Sequence, residues 1–246
     1  MSPEYIIIGM IVGYLSGMLG IGGSAITTPI LKLVFNVPDL IAIATPLPVI
    51  IPTAVSGMFG YKRIFSPRIA LLSIISGLPA TVLGAFVTEH INSTYLLVLT
   101  GFFIVLTGIK LLSKKKPIPL KADKRLTDLY TILIGFFSGF ISGLLAIGGG
   151  IMLIPGYIFI LGLEVQQAIS ISLLCIGFFA IQGTLVHWYL GHIDWNIAFN
   201  LSLGVIPASY FGAKTALKFK AEIIKIIFSL FLIIFGIFFM LNQLIY

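Results

Sequence analysis

Polar residues punctuate this chain only at long intervals. Between them lie apolar runs at about residues 6–34, 41–61, 69–88, 95–112, 129–161, 165–190, 195–216 and 223–244. Most reach the roughly 20 residues that a helix needs to cross a hydrocarbon core about 30 Å thick. None shows the strict apolar–polar alternation of a barrel strand, and runs of this length satisfy their backbone hydrogen bonds in lipid only as helices. The pattern therefore predicts an all-α, polytopic membrane protein.

Composition points the same way. Of 246 residues, 59% are hydrophobic and 9% charged, with mean hydropathy +1.14, so there is too little polar surface to cover a water-soluble globule. The formal net charge is +7, but the basic residues gather in short loops between apolar runs, which marks topology rather than a nucleic-acid surface. The single cysteine, Cys175, lies inside an apolar run; disulfide frameworks and thiolate metal sites are excluded, and a small core residue is expected. The first run has no Lys or Arg before it and is too long for the apolar core of a signal peptide, so it reads as part of the mature protein.

The chain is written twice. Laying residues 6–57 over 132–183 without a gap matches Ile8, Gly9, Gly13, Ser16, Gly17, Leu19, Ile21, Gly22, Gly23 and Pro29 with Ile134, Gly135, Gly139, Ser142, Gly143, Leu145, Ile147, Gly148, Gly149 and Pro155. After a two-residue shift, Pro79, Ala80, Gly84, Ala85 and Gly108 fall on Pro207, Ala208, Gly212, Ala213 and Gly236. Two repeats are expected, at 1–112 and 129–246, joined by a polar linker at 113–128; such duplication is typical of secondary transporters.

The linker carries Lys114, Lys115, Lys116, Lys121, Lys124 and Arg125, which by the positive-inside rule puts it in the cytoplasm. Lys62, Arg63 and Arg68 make one loop of the first repeat basic, whereas in the second repeat Lys214, Lys218, Lys220 and Lys225 cluster one loop later. If both basic loops face the cytoplasm, the repeats are inverted, and each crosses the membrane an odd number of times. Four apolar runs per repeat leave one too many. The first run is long enough for a straight helix of about 43 Å, and Gly20-Ile21-Gly22-Gly23 stands in its middle, echoed by Ala146-Ile147-Gly148-Gly149-Gly150. Clustered glycines each cost a helix about 1 kcal/mol and let the chain turn. Each repeat is thus expected to open with a hairpin of two shorter helices broken at these glycines, followed by three spanning helices, with both termini outside the cytoplasm.

Irregular backbone at membrane depth is tolerated only inside protein or beside a wet cavity, so the two breaks are the first candidates for a binding site, facing each other across a pseudo-two-fold axis. A helix starting after each break offers free backbone N–H groups to an anion. The lining expected from the first break is Gly20, Gly22, Gly23, Ser24, Thr27 and Thr28, and from the second Gly148, Gly149 and Gly150. Thr45-Pro46-Leu47-Pro48 and Pro52-Thr53 predict a kinked helix beside the site, adding Thr45, Ser56, Ser170 and Ser172. Gln182, a polar amide in an apolar stretch, is expected either to bond between helices or to touch the solute. Gly9, Gly13 and Gly17, with Gly135, Gly139 and Gly143, have the spacing of close helix packing. Lys32, Lys110, His187 and Lys214 lie toward the ends of runs, where snorkelling is the ordinary explanation. His187, His192 and Asp194 suggest a metal site or proton relay but read more simply as a surface loop. No catalytic constellation, metal set or cofactor motif stands out, so no enzyme and no cofactor are expected.

With these residues in view, the chain resembles the sulfite exporter TauE/SafE family, also called the 4-toluene sulfonate uptake permease family. The resemblance rests on the stretch from Gly13 to Ser24, Gly-Tyr-Leu-Ser-Gly-Met-Leu-Gly-Ile-Gly-Gly-Ser, its echo from Gly139 to Gly150, and the duplicated layout. It implies a transporter of sulfite, a sulfonate or a related organic anion in the cell membrane. A negative cell interior favours export of an anion by roughly 2.3 kcal/mol per charge per 100 mV; import would call for a coupling ion, first of all H+. A passive anion channel and a non-transporting scaffold are the alternatives.

Overall fold

The computed structural model describes residues 3–20, 22–61, 66–112, 124–218 and 221–245, and every regular element among them is helical. In chain order these are α1 (Pro3–Leu19), α2 (Ser24–Leu33), α3 (Asp39–Ala44), α4 (Pro46–Tyr61), α5 (Pro67–Thr88), α6 (Ser93–Leu112), α7 (Lys124–Leu145), α8 (Gly150–Pro155, continued as a π-helical turn Gly156–Ile160), α9 (Val165–Tyr189), α10 (Trp195–Lys218) and α11 (Ala221–Ile245). Four stretches are long and apolar enough to cross a membrane alone, namely Asp39–Tyr61, Pro67–Thr88, Lys124–Leu145 and Val165–Tyr189. Large apolar side chains such as Phe59, Ile75, Phe137, Phe199 and Phe211 cover the outside, an arrangement at home in lipid and ruinous in water.

The first run of each half breaks at its glycines. Gly20, Gly22 and Gly23 have φ of 70°, 87° and 82°, and Gly148 and Gly149 have φ of 74° and 72°, values open to glycine at little cost. The chain then doubles back. Phe35, beyond the end of α2, has its ring 4.6 Å from that of Tyr5 at the start of α1, and a Cβ placed on Gly156 would meet the Ile134 side chain 2.9 Å away. The arms are unequal in length: α1 has 17 residues and α7 has 22, against 10 in α2. In the second half α7 starts at Lys124 and so absorbs the end of the expected linker. Residues 113–123 of that linker, and Ile21, Lys62, Arg63 and Lys220, lie outside the described residues.

Small residues set the helix packing. A Cβ on Gly13 would stand 2.7 Å from the Cα of Val205, and one on Gly139 would stand 2.6 Å from the Cα of Gly77. Gly9 and Gly17 meet Leu201 and Ser209 of α10 in the same way, as Gly135 and Gly143 meet Ser73 and Thr81 of α5. Under the sequence alignment these pairs correspond one to one, so α1 on α10 repeats as α7 on α5. Such close backbone approach maximises van der Waals contact where lipid supplies no hydrophobic drive between helices. Between these pairs α4 packs on α9, α10 against α4 and α5 against α9, while α6 pairs with α11 at the periphery. Pro46 interrupts the second run, so that α3 ends at Ala44 and α4 begins afresh; its counterpart α9 has no proline and runs unbroken for 25 residues.

Gly139→Val should overpack the α5–α7 interface by about 1–3 kcal/mol, seen as a lower thermal midpoint in detergent. Ala146, buried with φ of 51°, bears a left-handed strain of about 1–2 kcal/mol, so Ala146→Gly should raise that midpoint.

Candidate functional site

The two breaks meet over one side chain. Cδ1 of Ile50, in α4, lies 3.5 Å from where a Cβ on Gly22 would stand and 2.8 Å from one on Gly148. Ile176 of α9, the residue matching Ile50 in the second half, comes within 3.3 Å of that same point on Gly22. Both isoleucines are fully buried, and they seal the space between the breaks with apolar atoms.

Around this seal the backbone is partly repaired and partly not. Gly20 N–H donates to Ser16 O at 2.7 Å, and the Ser172 hydroxyl donates to Gly20 O at 3.0 Å. In α2 the first intrahelical bonds are made by Ile26 and Thr27 to Gly23 O, each 3.0 Å; the amides of Ser24 and Ala25 come before them. In the second half Met152 and Leu153 bond to Gly149 O in the same way. The Thr27 hydroxyl is used locally, donating to Gly23 O at 3.1 Å.

Other hydroxyls there are buried without a partner. Ser24 and Thr28, one turn apart on the same face of α2, are 1% and 0% exposed, and neither hydroxyl is bonded. Ser16, Ser138 and Ser142, on the arms just before the breaks, are in the same condition. Buried polar groups almost always find partners, and each exception calls for an explanation such as a bound guest or water. The exceptions here gather about the breaks, with Thr184 and Asn200 as the further ones among the described residues.

The structure thus draws together Gly20, Gly22, Gly148 and Ser172, while Ser24 and Thr28 follow the first break in α2. Gly23 packs within its own half on Val12 and Ser16, and Gly149 on Ser138 and Phe179; Gly150 begins α8, and Ser170 is buried beside Ile169, which touches Gly20. Three other candidates are occupied or placed elsewhere. Thr45 Oγ1 accepts the Asp194 N–H at 3.1 Å, Ser56 donates to Ile206 O at 2.5 Å, and Gln182 is half-buried along α9. Sequence reasoning missed the seal by Ile50 and Ile176 and the hydroxyls of Ser16, Ser138 and Ser142. Ser16 and Ser142 were findable, since they match across the repeats.

His187 corrects an expectation. It does not snorkel to the interface but is fully buried, with Nε2 3.1 Å from Gly143 O and Nδ1 3.2 Å from Nδ1 of His192. Polar partners inside the protein outweigh the short distance to water. Asp194, the third member of that cluster, instead accepts the N–H groups of Asn196 and Ile197 at the start of α10. Lys32 pairs with Asp39, and Lys214 sits 4.4 Å from the centre of the Tyr210 ring. Among the described residues no group of three or more metal-ligating side chains forms.

A family model described as Sulfite exporter TauE/SafE matches residues 5–239. The chain is 28% identical to the probable membrane transporter protein YunE of Bacillus subtilis, over 94% of each chain. It is 29% identical to a probable membrane transporter protein of Methanocaldococcus jannaschii, covering 97% of this chain and 95% of that one. A probable membrane transporter protein of Xylella fastidiosa is 30% identical, over 87% and 84% of the two chains.

Ser172→Ala should cost about 1–3 kcal/mol by orphaning the Gly20 carbonyl, whereas Thr28→Val, which removes a hydroxyl that bonds nothing, should leave stability unchanged or raise it. Unfolding of both variants in mixed micelles checks the contrast.

Proposed function

The chain belongs to the sulfite exporter TauE/SafE family of membrane transporters, and from that premise we propose that it is a secondary carrier for a small anion such as sulfite, a sulfonate or a small carboxylate. Two inverted halves rock about the paired glycine breaks and open the site to each side of the cell membrane in turn. The observation that carries this reading is the cluster of unpartnered buried hydroxyls at two backbone breaks that share Ile50.

Chemistry favours an anion. The first-turn amides of α2 and the hydroxyls of Ser24 and Thr28 are donors, the N-terminal end of a helix dipole is positive, and no Lys or Arg is needed to hold a single negative charge there. The same donors reproduce part of the anion's hydration shell, which lowers the cost of bringing charge to membrane depth. The contact pairs exchanged between α1–α10 and α7–α5 support a two-fold relation between the halves, and the exchanged places of the basic loops support its inversion. Rocking needs an occupant to displace the apolar seal; Ile50 and Ile176 serve as the gate on either side of it. Export down the membrane potential needs no coupling ion, and coupling to H+ would allow import.

The double variant Ser24→Ala/Thr28→Val, in proteoliposomes loaded with labelled sulfite, sulfoacetate or acetate, should cut saturable flux at least about tenfold, the worth of one lost hydrogen bond to a charged group. Wild-type flux in that variant would overturn the site, and flux that never saturates would favour a passive channel.

A further inference from the structure

The polar side chains of α2 keep to a spacing. Ser24, Thr28 and Lys32 recur every four residues, which stacks them along one face of the helix over about 12 Å, from the first break to the last turn. Ser24 and Thr28 are buried with unbonded hydroxyls. Thr27, the remaining polar side chain of α2, is bonded within its own turn.

Lys32, its side chain 29% exposed, pairs with Asp39 at the start of α3. The Asp39 carboxylate has a second partner, because the Ser93 hydroxyl at the start of α6 donates to Oδ2 at 2.8 Å. Taking Lys32 away from this pair therefore leaves a part-exposed carboxylate that is still hydrogen-bonded, not an orphaned one. The ammonium also has somewhere to go. Side chains on a helix lean toward its N-terminus, and the flexible four-carbon stem of lysine spans about one turn, so Lys32 can reach back over Thr28.

The fold does not require these groups. In the second half the residues matching Ser24, Thr28, Lys32, Asp39 and Ser93 are Gly150, Ile154, Ile158, Val165 and Ala221, none with a polar side chain, and Ile154 and Ile158 are buried in the core. Snorkelling accounts for a lysine at a helix end, but not for two unpartnered hydroxyls beneath it on the same face.

We propose that Lys32 is the docking residue for the anion at the mouth where α2 ends: a guest on its way to or from the first break takes the place of Asp39 as the partner of Lys32, and meets the hydroxyls of Thr28 and Ser24 next. The assignment deepens the carrier reading above and rests on it; the topology in that reading sets this end of α2 on the outer side, opposite the basic loops. Asp39 holds the ammonium while no guest is there and, being negative itself, competes with the guest rather than binding it. Since the second half has no such ladder of donors, the route on the other side of the breaks is of a different chemical character.

Sulfite binding to the full chain in micelles, by titration calorimetry, and flux of labelled sulfite into proteoliposomes, measured side by side, test this. Lys32→Gln should raise the half-saturating sulfite concentration at least about tenfold, the size of one lost hydrogen bond between charged groups, and Lys32→Arg should restore most of that loss. Asp39→Asn, which frees the ammonium, should lower the half-saturating concentration by up to about fivefold, the strength of a part-exposed ion pair. Lys32→Ile/Asp39→Val, which installs the residues of the other half, should keep the thermal midpoint while losing affinity as Lys32→Gln does. Unchanged affinity in Lys32→Gln, or an equal loss in Asp39→Asn as a structural strut would give, overturns the assignment. Binding that follows the expected order without saturable flux counts against the carrier alone, and saturable flux with one half-saturating concentration in every variant that folds counts against Lys32 alone. No sulfite binding by the wild type overturns both.

Discussion

A peptide group inside the bilayer has no water to turn to, and leaving one unpaired costs several kcal/mol. A helix answers that demand residue by residue, which is why the chain is helical almost everywhere it is described. The two glycine breaks are where it does not, and the surroundings of each are organised to make good the loss. Ser172 reaches from α9 to Gly20, Tyr61 from α4 to Met18, His187 from α9 to Gly143 and Thr88 from α5 to Leu144. Each repair comes from another helix, so a break persists only while the packed core persists. What is left unrepaired, in particular the hydroxyls of Ser24 and Thr28, is what the proposed guest would use.

Glycine plays two parts that sequence spacing alone does not separate. On α1 and α7 it removes side chains so that α10 and α5 can lie against the backbone, and those helices become rigid pairs. At 22–23 and 148–149 it permits left-handed backbone. In the carrier proposed above, closely packed pairs would move as units, and the motion would fall at the breaks and at the seal of Ile50 and Ile176.

Duplication supplies the frame, and divergence the direction. Gly20 became Ala146, which accepts the same positive φ at a cost in strain; Pro46 faces Ser172, so one half has an interrupted helix and the other a hydroxyl that reaches the opposite break. Tyr61 faces His187. A perfectly symmetric carrier would respond alike on both sides, so differences of this kind are needed for any bias imposed from one side of the membrane.

The all-α membrane fold, the duplication and the position of both breaks were legible in the residues themselves, because lipid forces helices and because a glycine cluster inside a long, largely apolar run has a local consequence. The glycine stripe of Gly9, Gly13 and Gly17 likewise announced close packing. What no local rule carried was the partner of each group. Thr45 and Ser56 read as lining residues, and folding gives Thr45 the Asp194 N–H to accept and Ser56 the Ile206 carbonyl to donate to. His187 read as an interfacial side chain until α7 was laid beside α9. Nothing in the sequence singled out Ile50, and only the meeting of two distant breaks shows that it lies between them. Periodicity and composition act through neighbours in sequence and through solvent, whereas these assignments depend on contacts between residues on different helices, far apart in the chain, and those exist only once the helices have packed.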